Sequence, residues 1–447
     1  MEWKQLISNK RFGQEHKHAE RHDDRSEFKR DYDRLIFSSA FRRLQNKTQV
    51  FPLPGSIFVH NRLTHSLEVS SVGMSLGNDI SRRIIQKRPE LKDTLFEEIG
   101  TIVSAACLAH DLGNPPFGHS GEKAIQTFFS EGAGQSLKSA VSSEFWDDIT
   151  HYEGNANGFR ILTHRFKGRR QGGFVMTYPM LAAIVKYPFA SSLAGDHGKF
   201  GFFTSEAATY QKVADELGIR RLSAEGEPLR YARHPLVYMV EAADDICYEI
   251  MDIEDSHKLK ILSFDETADL LLGFFDETTK NKIRQRIIDE ELTDENEQVV
   301  YMRACVIGKL ENECVKAFLD HEEEILAGTF EGALIDHISE HERNAYITLY
   351  PGFEKEDLCQ QARSRHRAFG LQNHGHADGG IHRCRRQPVP FLLQAASAPG
   401  KQPVRHRERE SGRTPHGRIG LHQRHDGYLC PRHLSEDKRH QPAYRIR

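Results

Sequence analysis

The chain has 447 residues, of which 38% are hydrophobic and 28% charged, and a formal net charge of −3. That length suits one large domain or two to three ordinary ones, and no apolar run is long enough to span a bilayer. The charged start, "MEWKQLISNKRFGQEHKHAERHDDRSEF", has no apolar signal region, and seven cysteines without a CxxC pair read as reduced thiols. A cytoplasmic protein with no membrane partner is the expectation.

In chain order, the pattern up to about Leu358 is helical. "EFKRDYDRLIFSSAFRRLQ" brings Phe28, Tyr32, Leu35, Ile36 and Phe41 near helical spacing, and "HSLEVSSVGMSLGNDISRRII" repeats apolar residues at three and four. Between them, "TQVFPLPGSIFV" is the best candidate for a short β-hairpin. "EEIGTIVSAACLAHDLG" is apolar nearly all round, which predicts a helix inside the core. Further helices are expected at "SGEKAIQTFF", "MLAAIVKYP", "PLVYMVEAADDICYEIMDIED", "FDETADLLLGFF" and "VVYMRACVIGKLENECVKAFLDHEEEILAG". The predicted class is mostly α, with at most that one N-terminal hairpin.

Charge divides the chain in two. From Cys359 onward there are 18 Lys+Arg against 6 Asp+Glu, a surplus of 12, so the preceding residues carry −15. The domain expectation is therefore a helical unit over 1–358 and a His- and Arg-rich tail over 359–447.

The chemistry concentrates in "CLAHDLGNPPFGHSGEKAI". Adjacent residues on a helix diverge, so His110 and Asp111 share a site only at a helix end, which Gly113, Pro115 and Pro116 supply. Imidazole plus carboxylate suits a divalent cation and leaves its shell incomplete. His65 opens a helix in "HNRLTHSLEV", and Asp244 and Asp245 sit in the otherwise apolar "EAADDICYEIMD", where an unpaired carboxylate is costly. Singly each has an ordinary structural reading; together they predict a metal site.

The words "RLIFSSAFRRLQNKTQVFPL", "HNRLTHSLEVS", "HDLGNPPFGHSGE", "HYEGNAN" and "EAADDICY", in that order, resemble the bacterial deoxyguanosine triphosphate triphosphohydrolases of the HD-domain metal-dependent phosphohydrolases. The resemblance runs from about residue 20 to about 350. It implies an α-helical HD fold, hydrolysis of a dNTP, dGTP first, to deoxynucleoside and tripolyphosphate, and often a hexamer. Carried over by position, the metal ligands are His65, His110, Asp111 and Asp244. The donor set admits Mg, Mn, Zn, Fe, Co or Ni.

Releasing the 5′-oxygen needs an acid, and His119 is the candidate, with Glu122 three residues on to orient it; the resemblance indicates the same pair. The alternative is that His119 only caps the next helix. For the phosphates, the candidates are Arg62, three residues before His65, and Lys186. Tyr248 and Asp252 follow Asp244 by four and eight residues on one helix face. The resemblance gives Tyr248 the C2′ edge of the sugar, Asp252 and Gln49 its 3′-hydroxyl, and His151 a place in the same pocket.

Two other functions compete: a different HD nucleotide phosphohydrolase, such as a 5′-nucleotidase or phosphodiesterase, or a nucleic-acid-binding protein with a vestigial site. The basic tail makes single-stranded DNA a further candidate partner. That tail departs from the family's C-terminal helices. Back-translated with a one-base shift, "LQNHGHADGGI" permits an apolar helix-like string and "HQRHDGYLCP" permits the family's C-terminal word. The expectation is a change of reading frame between about 350 and 370, so that 359–447 is not an evolved domain.

Overall fold

In the computed structural model of the chain, the described residues are 1–15, 24–47, 60–168, 170–195 and 198–349. They all fall in the first of the chain's two units, Met1–Arg385. The expected hairpin at 48–59, Gln49 within it, and the tail from 359 lie outside the described residues.

The described residues form sixteen α-helices joined by turns and short 3₁₀ segments. The first five are α1 (Trp3–Leu6), α2 (Glu27–Ile36), α3 (Ser39–Arg42), α4 (Arg62–Lys87) and α5 (Ile99–Ala109). Next come α6 (Gly118–Ser130), α7 (Ser143–Thr150), α8 (Gly154–Thr163), α9 (Tyr178–Ala183), α10 (Ala207–Leu217) and α11 (Pro235–Lys258). The last are α12 (Phe264–Leu272), α13 (Glu277–Asp289), α14 (Glu295–Asp320), α15 (Glu322–Ala327) and α16 (Glu340–Leu349). β-type pairing among them is confined to isolated bridges such as Arg11 with Thr177. The mostly α class predicted from periodicity holds. No helix among the described residues is long and apolar enough to cross a membrane.

Helix α5 is the axis of the packing. Its sequence IGTIVSAACLA has no charged residue, and every position except Thr101 is buried. It can therefore be surrounded, and α2, α4, α9 and α11 all pack on it. Helix α4 starts where Asn61 accepts from the backbone N–H of Leu63 and Thr64, while Thr64 Oγ1 accepts from Asn61 N. From there Val69, Val72, Leu76, Ile80 and Ile84 form one buried stripe. Gly77 lets α4 approach α5: a Cβ there would meet Gly100 Cα at 2.7 Å. Higher up, Ser70 Oγ lies 2.8 Å from Ser104 Oγ and donates to Ser104 O, so the contact carries no unsatisfied hydroxyl.

Helix α11 crosses both and continues against α14. Pro235 begins it, and His234 caps it by accepting from Leu236 N through Nδ1. Burial holds His234 neutral, its pKa lowered to about 4, which is the form that can accept. Three rigid helices thus converge: the first turn of α4, the last turn of α5 and the middle of α11.

Candidate metal centre

His65 lies in the first turn of α4, on its core-facing side, and is 1% exposed. His110 is the C-terminal cap of α5, and Asp111 begins the turn beyond it. The doublet does sit at a helix end, as the Gly-Asn-Pro-Pro break predicts. Gly113 is required there because a Cβ would fall 2.0 Å from Gly154 O, at the start of α8. Asp244 comes from α11.

These side chains meet. His65 Nε2 is 2.9 Å from Asp244 Oδ1, and His110 Nε2 is 3.5 Å from the same oxygen and 3.8 Å from Asp111 Oδ1. The two imidazoles stand edge to face, 5.4 Å between centroids. His110 Nδ1 donates to Cys107 O at 2.6 Å, which turns Nε2 into the cluster. There Nε2 is buried without a hydrogen-bond partner, and such an orphan calls for a ligand. One ligand atom each from His65, His110 and Asp111 lie within 4.8 Å of one another. Two imidazole nitrogens with carboxylate oxygens fit a divalent cation.

The electrostatics point the same way. Burial works against the ionised form of Asp244, but the charge of His110 beside it and the hydrogen bond from His65 hold its carboxyl well below the usual range. Asp111 is likewise lowered, burial being outweighed by His110, Arg62 and His65. His110 is pushed up to about 9, because Asp111 and Asp244 overcome the cost of burial. The site is a pocket of fixed negative charge that protons or a cation must balance.

Past the doublet the chain turns through Phe117, in the left-handed region at φ 68°, into α6. His119 lies in its first turn with the side chain 85% exposed, and its Nδ1 is 2.8 Å from Glu122 Oε2. Glu122 is itself buried, and its other oxygen accepts from Gly154 N at 2.9 Å. Burial would raise its pKa, but His119, Lys199 and Gly154 N together lower it, so the carboxylate is ionised at neutral pH. His119 thus donates through Nδ1 and presents Nε2 outward.

An HD domain matches residues 62–151, which hold His65, His110, Asp111, His119 and Glu122. A deoxyguanosinetriphosphate triphosphohydrolase-like protein of Pseudomonas aeruginosa is 40% identical over 342 residues, 76% of this chain and 75% of that one. One from Synechocystis sp. is 42% identical over 352 residues, 75% of this chain and 76% of that one. The deoxyguanosinetriphosphate triphosphohydrolase of Yersinia enterocolitica is 30% identical over 378 residues, covering 76% and 73%. The chain belongs to the deoxyguanosinetriphosphate triphosphohydrolase family. It is a metal-dependent hydrolase of nucleoside triphosphates.

Other residues singled out from the sequence of this triphosphohydrolase-family enzyme have distinct surroundings. Arg62 donates to Asp111 Oδ2 at 2.5 Å, so part of its guanidinium holds a cluster carboxylate, while its Nε is buried without a partner. Lys186 is paired with Glu241 at 2.9 Å, three residues before Asp244 on α11, and Glu241 also accepts from Arg233. The Tyr248 ring is edge-on to His65, 6.3 Å between centroids, one turn beyond Asp244. Asp252 is a further turn along α11. Asp245 is a different case from its neighbour: burial, with Glu241 nearby, pushes its carboxyl well above the usual range. His151 is exposed, donates through Nδ1 to Asp147 O, and lines a cleft that includes none of the four cluster residues.

Three residues escape the sequence reading. Asn114 donates to Asp111 Oδ1, and Lys47 donates to Asn114 O. Burial, with Arg62 and Arg43 adding to it, lowers Lys47 to about 8. Lys199 sits 3.7 Å from Glu122 and 3.1 Å from Glu153. Asn114 lies inside the HD word itself, whereas a lone Lys in a polar stretch carries no signal.

Proposed function

We propose that the enzyme hydrolyses dGTP in preference to other dNTPs, attacking the α-phosphorus to give deoxyguanosine and inorganic tripolyphosphate. The observation that carries this is the convergence of His65, His110, Asp111 and Asp244 around the orphaned His110 Nε2, in a chain whose relatives bear that activity in their names. In this reading those four residues hold a divalent cation, Mg, Mn or another transition metal. When bound, it would polarise the phosphate and lower the pKa of a water.

The chain's own groups supply the rest. Arg62 links the two halves of the site, since it holds Asp111 and its other nitrogen reaches to within 2.9 Å of a Cβ built on Gly118, where α6 begins. His119 gives a proton from Nε2 to the 5′-oxygen as the bond from that oxygen to phosphorus breaks. Glu122 keeps the ring oriented through Nδ1. Arg62 and Lys186 bind phosphate oxygens, Lys186 exchanging Glu241 for the substrate. Tyr248, beside His65, packs against C2′ and rejects ribose, while Asp252 and Gln49 hold the 3′-hydroxyl.

The test is product identity across the four dNTPs and GTP with added Mn or Mg, read by phosphorus NMR. Intact tripolyphosphate, released fastest from dGTP and not from GTP, is the expected result. Orthophosphate, pyrophosphate or a nucleoside monophosphate as first product would instead identify another HD nucleotide phosphohydrolase.

A further inference from the structure

The helix that carries His119 continues into a cleft that the chemistry above leaves unused. His119, Lys123, Gln126 and Ser130 follow one another at spacings of four, three and four on α6, so they share one face. Lys123 is about 6 Å further along the helix axis than His119. From Lys123 onward this face walls a cleft of about 540 Å³, whose other lining comes from Gln135, Lys138, Trp146, Thr150 and His151.

The lining is selective in charge. It contains two lysines and a histidine and no carboxylate, although Glu131, Glu144 and Asp147 lie in the same segments. Among the described residues neither lysine has a carboxylate partner, and Lys138 stands over the Trp146 ring at 5.8 Å. The backbone carbonyls at the rim are already covered: Gln126 donates to Tyr152 O, Gln135 to Ser130 O, and Thr150 and His151 to Asp147 O. What is left without a carboxylate partner is the two ammonium groups, Lys123 and Lys138, the second beside the Trp146 ring, and a pair of such cations in a lining with no carboxylate favours an inorganic polyanion.

We propose that this cleft binds the tripolyphosphate product as it leaves the site, with Lys123 and Lys138 as its principal cations. The proposal rests on the reading that tripolyphosphate is the product. The cleft wall begins about one turn along α6 from His119, the residue that protonates the 5′-oxygen in that reading.

The chain contains two tryptophans, and the other, Trp3, is buried at 3% exposure, so Trp146 reports on the cleft. Sodium tripolyphosphate is titrated into the full chain without added divalent ion, and emission is followed in wild type, Trp146→Phe and the double variant Lys123→Gln/Lys138→Gln. Circular dichroism and melting temperature confirm that each variant is folded. The expected result is a saturable change that Trp146→Phe abolishes. Its dissociation constant should rise about tenfold or more in the double variant, the loss expected for charge-assisted contacts. Product inhibition by tripolyphosphate should weaken in parallel, with initial-rate kcat and KM for dGTP unchanged. An affinity indifferent to the two lysines, or an equal response to orthophosphate at the same concentration, overturns the cleft assignment. If the product assay instead yields no tripolyphosphate, the underlying reading falls, and the titration distinguishes that outcome because it needs no turnover.

Discussion

The two halves of the candidate site are built on opposite principles. His65, His110, Asp111 and Asp244 come from α4, the end of α5 with the turn beyond it, and α11, and their side chains contact one another there. His119, by contrast, is mostly open to solvent and has a single buried partner, Glu122. A coordination shell needs atoms fixed to a few tenths of an ångström, which packed helices provide. A proton donor must meet a substrate that comes and goes, which an exposed ring in the first turn of a helix allows. If this division is right, metal retention and proton delivery can be broken separately.

The largest effect is expected from the core half. Asp111→Ala removes a carboxylate that Arg62 and Asn114 both hold, leaving Arg62 buried with no counter-charge. Metal content by elemental analysis and turnover should be lost together; metal retained at the wild-type ratio would take Asp111 out of the ligand set. The exposed half should fail differently. His119→Ala should keep the metal and the melting temperature while kcat falls about 10² to 10⁴-fold, the usual contribution of a general acid. A variant that loses its metal along with its rate would show that the halves are one unit after all.

The same contrast sets what could be read from the sequence. Helix α5 announced itself because a run with no charged residue can only be buried, and the doublet's place at its end followed from Gly113 and the two prolines. His65 and Asp244, 179 positions apart, were legible only as polar residues in apolar helices, and their 2.9 Å approach depends on the α4 and α11 crossing that no local pattern specifies. Lys186 and His151 show the limit. A polar side chain near a motif in sequence has no fixed surroundings until the fold supplies them, here Glu241 for Lys186 and the cleft beside α6 for His151. Lys47 and Lys199 were invisible for the same reason.

A smaller effect tests whether the core half depends on the closeness of α4 and α5. In Gly77→Ala the new methyl would press on Gly100 Cα, a backbone atom that cannot swing aside. Overpacking of this kind costs about 1–3 kcal/mol, partly offset by the better helix propensity of alanine. The melting temperature should fall by a few degrees while kcat for the folded enzyme stays near wild type. An unchanged melting temperature would mean that the helices part at no cost, and the rigidity attributed to this crossing would be wrong.

The smallest effect concerns a clasp at a different contact, that of α4 with α11. His60 bridges α4 and α11: its Nδ1 is 2.8 Å from Asp255 Oδ1 and its Nε2 3.0 Å from Glu68 Oε1. Burial would lower its pKa, but the hydrogen bonds to Asp255 and Glu68 and their charges raise it to about 10. A group whose pKa is raised by folding stabilises the fold fully below its unfolded value, near 6.5, and the contribution fades as pH rises toward about 10. The melting-temperature difference between wild type and His60→Gln should therefore be greatest at and below pH 6.5 and shrink steadily up to pH 10. Glu68 is partly open to water, which screens its share of the pair and keeps the whole effect modest. A difference that stays constant across that range would mean the glutamine loses only shape, and that the imidazolium charge does not tie α4 to α11.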